Sequence, residues 1–470
     1  MMFDTLQFWL FFAATMLLLA TLRQRPAKIA LVLLSYVFYG FWDVRFCLLL
    51  AGSTAVNYLF GRLIDARDGA ARKRMVTYAV VFNLGVLAFF KYFNFFIDSF
   101  ASVFGVDPAG MALNIILPVG ISFFTFEGIA YAVDVYRRQL KAVRDPVDFS
   151  LFIAFFPHLV AGPIIRPTDF FPQLAQRPPL TSEDSRWGMR EILKGLIKKV
   201  AFANYFAPIA DAWFSGGQYE GAAVPAWIGV LAFSMQIYFD FSGYTDIARG
   251  CARLLGYRFP PNFERPYLSA NITDFWRRWH ISLSFWLRDY LYISLGGNRV
   301  SVPRTYVNLL IVMGLGGLWH GASWNFAIWG LYHGVLLIGH RLWRQAIERS
   351  GVARIVDLPV LVPMWVALTF VIVTLGWVPF RAPTLDATAL TFAALWTVPD
   401  LSFAAMHWGV WLIPLGTLLF CLIDRKRRLQ DWLTQRARLP VAVIAAVAAL
   451  WFLQVFAQID AQVPFVYFQF

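Results

Sequence analysis

The sequence predicts an all-α polytopic membrane protein, on three observations. The chain has 470 residues, of which 59% are hydrophobic, 18% aromatic and 15% charged. Its mean hydropathy is +0.58, whereas soluble domains carry about 25% charged residues. Several stretches reach or approach the roughly 20 apolar residues that a helix needs to cross a bilayer. The 41 Lys and Arg against 28 Asp and Glu give a formal charge of +13, and the excess lies in short loops between apolar runs. That is the positive-inside pattern, so the basic balance reports orientation and not a nucleic-acid partner.

The elements follow in order. Residues 6–22 form a first span, retained because no basic segment precedes it and no clear cleavage site follows it. Shorter apolar runs at 29–42 and 46–60 form a hairpin around Asp43 and Arg45. A basic loop follows with Arg62, Arg67, Arg72, Lys73 and Arg74. Residues 76–97 make the next span, 98–110 a loop without Lys or Arg, and 113–136 a further span ending in Arg137 and Arg138. The alternation puts the N-terminus outside and the basic loops in the cytoplasm. The loops 341–349 and 425–438 are then inside, and 382–406 and the tail 458–470 outside. Residues 150–304 break the pattern: prolines, glycines and charges interrupt the apolar pieces. Broken helices at membrane depth persist only where protein or a water-filled cavity covers them. The middle therefore reads as a core with re-entrant elements. The whole is one membrane domain over 1–470, with N-terminal spans (1–149), a catalytic core (150–340) and C-terminal spans (341–470).

His320 is the costly residue. It lies in a stretch, 314–333, without Asp, Glu, Lys or Arg. An ionisable side chain there is either compensated by a partner or kept for its chemistry. Gly314, Gly316, Gly317 and Gly321 around it permit close approach of backbone or ligand. His333 and His340, seven residues apart, share a helix face and read as core histidines bonded to backbone or water. Upstream, 271–292 is the densest polar cluster. On a continuous helix Arg277, Ser284 and Arg288 project together, with Trp276, His280 and Leu283 on a neighbouring face. That face is either an interfacial belt or part of a site.

Exclusions narrow the chemistry. There is no His-Glu-x-x-His and no carboxylate beside His320, which argues against a metal site. There is no Gly-x-Ser-x-Gly elbow and no P-loop. The cysteines Cys47, Cys251 and Cys421 are scattered, so no disulfide framework is expected. A neutral imidazole can then act as general base on a hydroxyl. The competing class is a transporter or export subunit. Asp240, Asp246 and Glu127 support it, because intramembrane carboxylates mark ion or substrate paths. No internal repeat of the transporter kind is visible.

Several long motifs carry a resemblance. They are Phe156-Pro-His-Leu-Val-Ala-Gly-Pro163, Gln236-Ile-Tyr-Phe-Asp240-Phe-Ser-Gly-Tyr244 and Asp274-Phe-Trp-Arg-Arg-Trp-His280-Ile-Ser-Leu-Ser284. Then come Arg288-Asp-Tyr-Leu-Tyr-Ile293, Gly296-Gly-Asn-Arg299, Leu318-Trp-His320-Gly-Ala-Ser-Trp324 and Pro464-Phe-Val-Tyr-Phe-Gln-Phe470. In order and over nearly the whole chain they resemble the membrane-bound O-acyltransferase family. The similarity is greatest to its alginate-acetylating branch, with the D-alanyl-transferring branch as a cousin.

The resemblance implies a ring of transmembrane helices around a thin core with re-entrant helices, and funnels from both faces. It implies acetyl transfer from a cytoplasmic thioester, acetyl-CoA or an acylated carrier protein, with no resident cofactor. The acceptor would be an extracytoplasmic polysaccharide hydroxyl or a relay partner protein. Location would be the bacterial cytoplasmic membrane, among lipids and polysaccharide-modifying proteins, with both termini extracytoplasmic. His320 matches the family's near-invariant histidine and His280 its second polar position. Asp240, Trp276, Arg277, Ser284, Arg288, Trp319, Ser323 and Asn325 are the expected cavity or substrate contacts. The arginines are read either as donor-phosphate ligands or as lipid anchors.

Overall fold

The computed structural model describes residues 1–107, 110–160, 162–175, 180–219, 222–397 and 407–423. Among them the chain is almost wholly helical, with one two-residue antiparallel ladder pairing Gln218 with Ala223 and Tyr219 with Ala222. Three helical stretches are long and apolar enough to cross a membrane: Arg45–Asp65, Gly69–Phe104 and Pro359–Arg381. The expected loop 425–438, the tail 458–470 and the motif from Pro464 lie outside the described residues.

Two compact units divide the chain. The first holds Met1–Ile192 and Ile247–Pro260, and the second Leu193–Asp246 and the residues from Pro261 on.

The first unit begins with α1 (Leu6–Thr21), α2 (Gln24–Gly40), α3 (Arg45–Asp65) and α4 (Gly69–Phe104), which carries a π-helical turn at Ala88–Tyr92. The span expected at 76–97 thus lies inside a longer helix, and the loop expected from 98 starts only after Phe104. Asn57 and Asn83 exchange two buried amide hydrogen bonds (3.1 and 2.7 Å) between α3 and α4, the kind of polar contact that holds helices together in lipid. The span expected at 113–136 is shorter. Helix starts only at Ile121, because Pro118 and the left-handed Gly120 (φ 77°) precede it. This helix, α5 (Ile121–Tyr136), is buried along nearly its whole length. A lipid-facing surface and a protein-facing one are equally apolar, so hydropathy does not separate them. Next come α6 (Pro146–Ala154) and α7 (Pro167–Ala175). Within this unit Glu127 of α5 meets His158, Oε1 to Nδ1 3.0 Å, both fully buried. Phe155, Phe170 and Phe259 pack around the imidazole.

Helix α8 (Ser182–Leu196) runs from the first unit into the second, where a π-helical segment (Ile197–Ala203) and α9 (Asn204–Phe214) continue it. Helix α10 (Ala226–Leu254) passes back the other way. In the second unit Lys199 meets Asp240 at 2.8 Å, and Lys194 and Lys198 meet Asp246 at 3.2 and 2.7 Å. Gly243 lies there against the Gly195 carbonyl, so a side chain at 243 would push α10 away from the lysines.

Candidate active site

One helix was expected through 271–292; two short ones are present. Helix α11 (Ile272–Arg278) is capped by the Asn271 side chain, which accepts from Asp274 N–H at 2.8 Å. Helix α12 (Ile281–Trp286) then continues into a π-helical turn, Leu287–Tyr292. Between them His280 adopts the left-handed conformation (φ 42°, ψ 56°). A non-glycine residue there costs roughly 1–3 kcal/mol and persists only where its surroundings enforce it. The enforcing segment is the neighbouring loop: Glu264 N–H donates to the Arg278 carbonyl and Ile281 N–H to the Asn262 carbonyl, both at 2.9 Å. The break cancels the predicted shared face.

Asn262 also sets the state of the imidazole. Its Oδ1 accepts from the Ser282 backbone N–H (3.1 Å) and the Ser282 hydroxyl (2.9 Å), and lies 3.3 Å from His280 Nδ1. A backbone N–H only donates, so this atom of Asn262 is the oxygen, and His280 Nδ1 must carry the proton towards it. In the neutral ring that leaves Nε2 with a free lone pair. Nε2 is buried and meets no hydrogen-bond partner among the described residues.

His320 is the last residue of α13 (Val302–His320). Gly321 ends the helix by turning extended, and α14 (Trp324–Ser350) starts after Ser323. The two helices nearly touch. A side chain at Gly317 would strike the Phe326 carbonyl, and one at Gly330 the Met313 carbonyl. Of the glycines near His320, Gly317 therefore serves backbone contact, while Gly321 makes room for the Phe326 ring and Gly316 for Leu287. The backbone contact brings Trp329 of α14 against His320, ring centres 5.0 Å apart. Phe380, from α15 (Val362–Arg381), closes another side at 5.3 Å, and Trp319 lies at 5.0 Å.

His280 and His320 face each other with ring centres 6.3 Å apart. That exceeds the reach of a direct nitrogen–nitrogen hydrogen bond and suits one oxygen between them. Phe241 (4.7 Å) and Trp319 (5.9 Å) complete the surroundings of His280. His320 is 4% exposed and His280 fully buried. The pair sits in a buried aromatic enclosure.

The other expected residues divide. Trp319 contacts both histidines, and Trp276 packs on Trp329 and His333 (5.8 and 5.2 Å). Ser284 bonds back to the Trp279 carbonyl at 3.3 Å. Asn325 donates to the Ala382 carbonyl at 2.7 Å and accepts from Thr388, tying α14 to the residues after α15. Ser323 stands in the turn before α14 and makes no capping bond. Asp240 is engaged with Lys199. Arg277 and Arg288 are exposed, Arg288 bonding Asp289 at 2.6 Å. His340 bonds the Thr273 hydroxyl (3.0 Å) and not backbone. His333 has no protein hydrogen bond among the described residues and lies between Phe275, Trp276 and Trp329.

Asn262, Phe241, Trp329 and Phe380 were not singled out in the sequence. The only signal at Asn262 is its place after Pro260-Pro261, which end helical structure; nothing in its spacing ties it to His280.

Residues 136–374 match the family model described as MBOAT, membrane-bound O-acyltransferase family. This chain belongs to that family. It is 45% identical over 393 residues to the probable alginate O-acetylase AlgI of Azotobacter vinelandii, covering 81% of this chain and 76% of that protein. It is 38% identical to the peptidoglycan O-acetyltransferase of Helicobacter pylori over 387 residues, 77% of this chain and 72% of that protein. The teichoic acid D-alanyltransferase of Bacillus subtilis is 32% identical over 249 residues, 49% of this chain and 61% of that protein. As a member of the membrane-bound O-acyltransferases, this membrane protein is an O-acyltransferase. Both histidines, and the Asn262 that orients one of them, fall inside the matched residues.

Proposed function

We propose that this protein moves an acetyl group from a cytoplasmic thioester, acetyl-CoA or an acylated carrier protein, to an extracytoplasmic polysaccharide hydroxyl or to a relay protein serving one. Alginate is the first acceptor to test, given the names of the relatives above. The observation that carries the reading is the facing pair His280 and His320 in an aromatic enclosure of an acyltransferase-family chain. His320 removes the hydroxyl proton as the oxygen attacks the thioester carbonyl. The new C–O bond forms, the C–S bond breaks, and the departing thiolate takes the proton. Positive charge developing on His320 meets the negative end of α13, an interaction typical of helix C-termini. His280 holds the hydroxyl through Nε2. The basic loops face the cytoplasm of a bacterial inner membrane, with the N-terminus outside.

D-alanyl transfer is the second reading, with lower identity over half the chain behind it. Export is disfavoured, since Asp240 and Asp246 are engaged in internal ion pairs with lysines and Glu127 is engaged with His158. The test is ester-linked acetate on polymer from cells making the parent, His320→Ala or His280→Ala proteins at matched membrane abundance. A general base supplies about 10²–10⁴-fold. His320→Ala acetylating at the parental rate would overturn the assignment. Unchanged acetate with altered polymer export would favour transport.

A further inference from the structure

A second cluster in the first unit has no place in the histidine chemistry. Trp187 of α8 lies under three guanidiniums: Arg249 at 5.0 Å, Arg253 at 5.2 Å and Arg190 at 5.7 Å from the ring centre. Arg249 and Arg253 are one turn apart on α10. The helices cross where Gly188 meets Gly250; a side chain at either would strike the other's carbonyl. The crossing brings α10 close enough to α8 for its arginines to lie over the indole.

The charges are layered. Glu191 and Asp184 lie beneath, 2% and 6% exposed, and bind Arg249 at 2.8 Å and Arg253 at 2.5 Å. Thr181 and the Arg253 and Arg258 charges hold the Asp184 carboxyl down to about 2, so it is ionised. The guanidiniums lie nearer the surface, from 13% exposed at Arg249 to 55% at Arg258. Four cations are set over two carboxylates. Arg190 reaches Glu191 only at 3.3 Å, and its Nε–H is buried with no acceptor among the described residues. Helix clamping needs neither the surplus charge nor the unused donor.

We propose that Trp187, Arg190, Arg249, Arg253 and Arg258 form a binding site for a phosphate group. Planar guanidinium forks match phosphate oxygens two at a time, and carboxylates beneath pre-set two of the forks. The indole holds three of the guanidiniums by cation–π contact and so fixes where their donors lie. Basic clusters of this kind favour the cytoplasmic side, where nucleotide thioesters and anionic headgroups both present phosphates. The site stands independently of the histidine roles, and its test reads binding alone.

The test uses the full-length protein in neutral detergent and in phosphatidylcholine nanodiscs with or without phosphatidylglycerol. The probes are adenosine 3′,5′-bisphosphate, followed by calorimetry, and phosphatidylglycerol, counted by native mass spectrometry. Arg190→Gln with Arg258→Gln is expected to weaken binding about tenfold or more, since a charged hydrogen bond is lost at each. Arg190→Lys, which keeps charge without the fork, should weaken it less. Loss for the bisphosphate assigns a nucleotide ligand; loss for phosphatidylglycerol assigns a lipid headgroup. Arg258→Gln alone, at an exposed position, serves if the double variant does not fold. Binding of neither probe by the parent, or unchanged binding by the variants, overturns the proposal.

Discussion

His158 in the first unit and His280 in the second are both fully buried among phenylalanines, yet their partners differ. His158 is bonded to the carboxylate of Glu127 at 3.0 Å. His280 is bonded to a neutral amide, and Nε2 of both rings meets no hydrogen-bond partner among the described residues. A carboxylate on Nδ1 orients an imidazole for proton transfer as well as an amide does; what sets His158 apart is its enclosure by Phe155, Phe170 and Phe259. His280 instead faces a second imidazole, His320, with ring centres 6.3 Å apart, which is the arrangement that proton transfer to a bound hydroxyl can use. Burial by itself does not distinguish the two.

The comparison can be broken most sharply on the second side. His320→Ala should lower acetyl transfer about 10²–10⁴-fold while membrane abundance holds. On the first side, Glu127→Leu should cost about 1–3 kcal/mol by leaving His158 Nδ1 buried without its partner. It should leave acetylation per folded molecule unchanged. Thermal unfolding read by labelling of buried Cys251, beside specific activity, checks both halves. A loss of specific activity would erase the distinction.

Asn262→Ala sharpens it. Without the acceptor on Nδ1, His280 loses its preferred tautomer, and kcat should fall about tenfold with little change in KM, by loss of about one hydrogen bond's worth of orientation. Asn262→Asp keeps the acceptor and should recover part of the rate. Gly317→Ala should cost about 1–3 kcal/mol by forcing α13 from α14, whereas Gly85→Ala, with open space around it, should gain up to about 1 kcal/mol. The smallest effect is electrostatic. The carboxyl of Asp184 titrates lower in the folded protein than its ordinary 3.8, so its stabilising share is full above that value and fades as pH falls towards 2. The stability difference between parent and Asp184→Asn should therefore be present at pH 5 and shrink between pH 4 and 2.

Much of the fold was legible. Apolar runs at 46–60 and 76–97 marked the middles of α3 and α4, both of which extend further at each end, and interrupted apolar pieces marked the irregular middle. The burial of α5 was not legible, because neighbours made of protein and neighbours made of lipid select the same residues. The break at His280 carries no glycine or proline at the bend, so local rules read straight through it. Arg277 of α11 and Arg288 of the π-helical turn after α12 were placed on one face because a continuous helix was assumed. With the break in place, Arg277 and Arg288 are exposed.

The sequence by itself determined that this is a helical membrane protein, and that His320 stands where an ionisable group is costly. Those conclusions rest on composition and on contacts within a turn or two of the chain, which sequence order contains. Tertiary structure decided the partners: Lys199 for Asp240, Glu127 for His158, Trp329 and Phe380 for His320. It also decided the tautomer of His280, through an asparagine 18 residues away. Lys199 and Asp240, Glu127 and His158, and His320 and Phe380 stand on different helices, and no periodicity along the chain encodes which helix meets which.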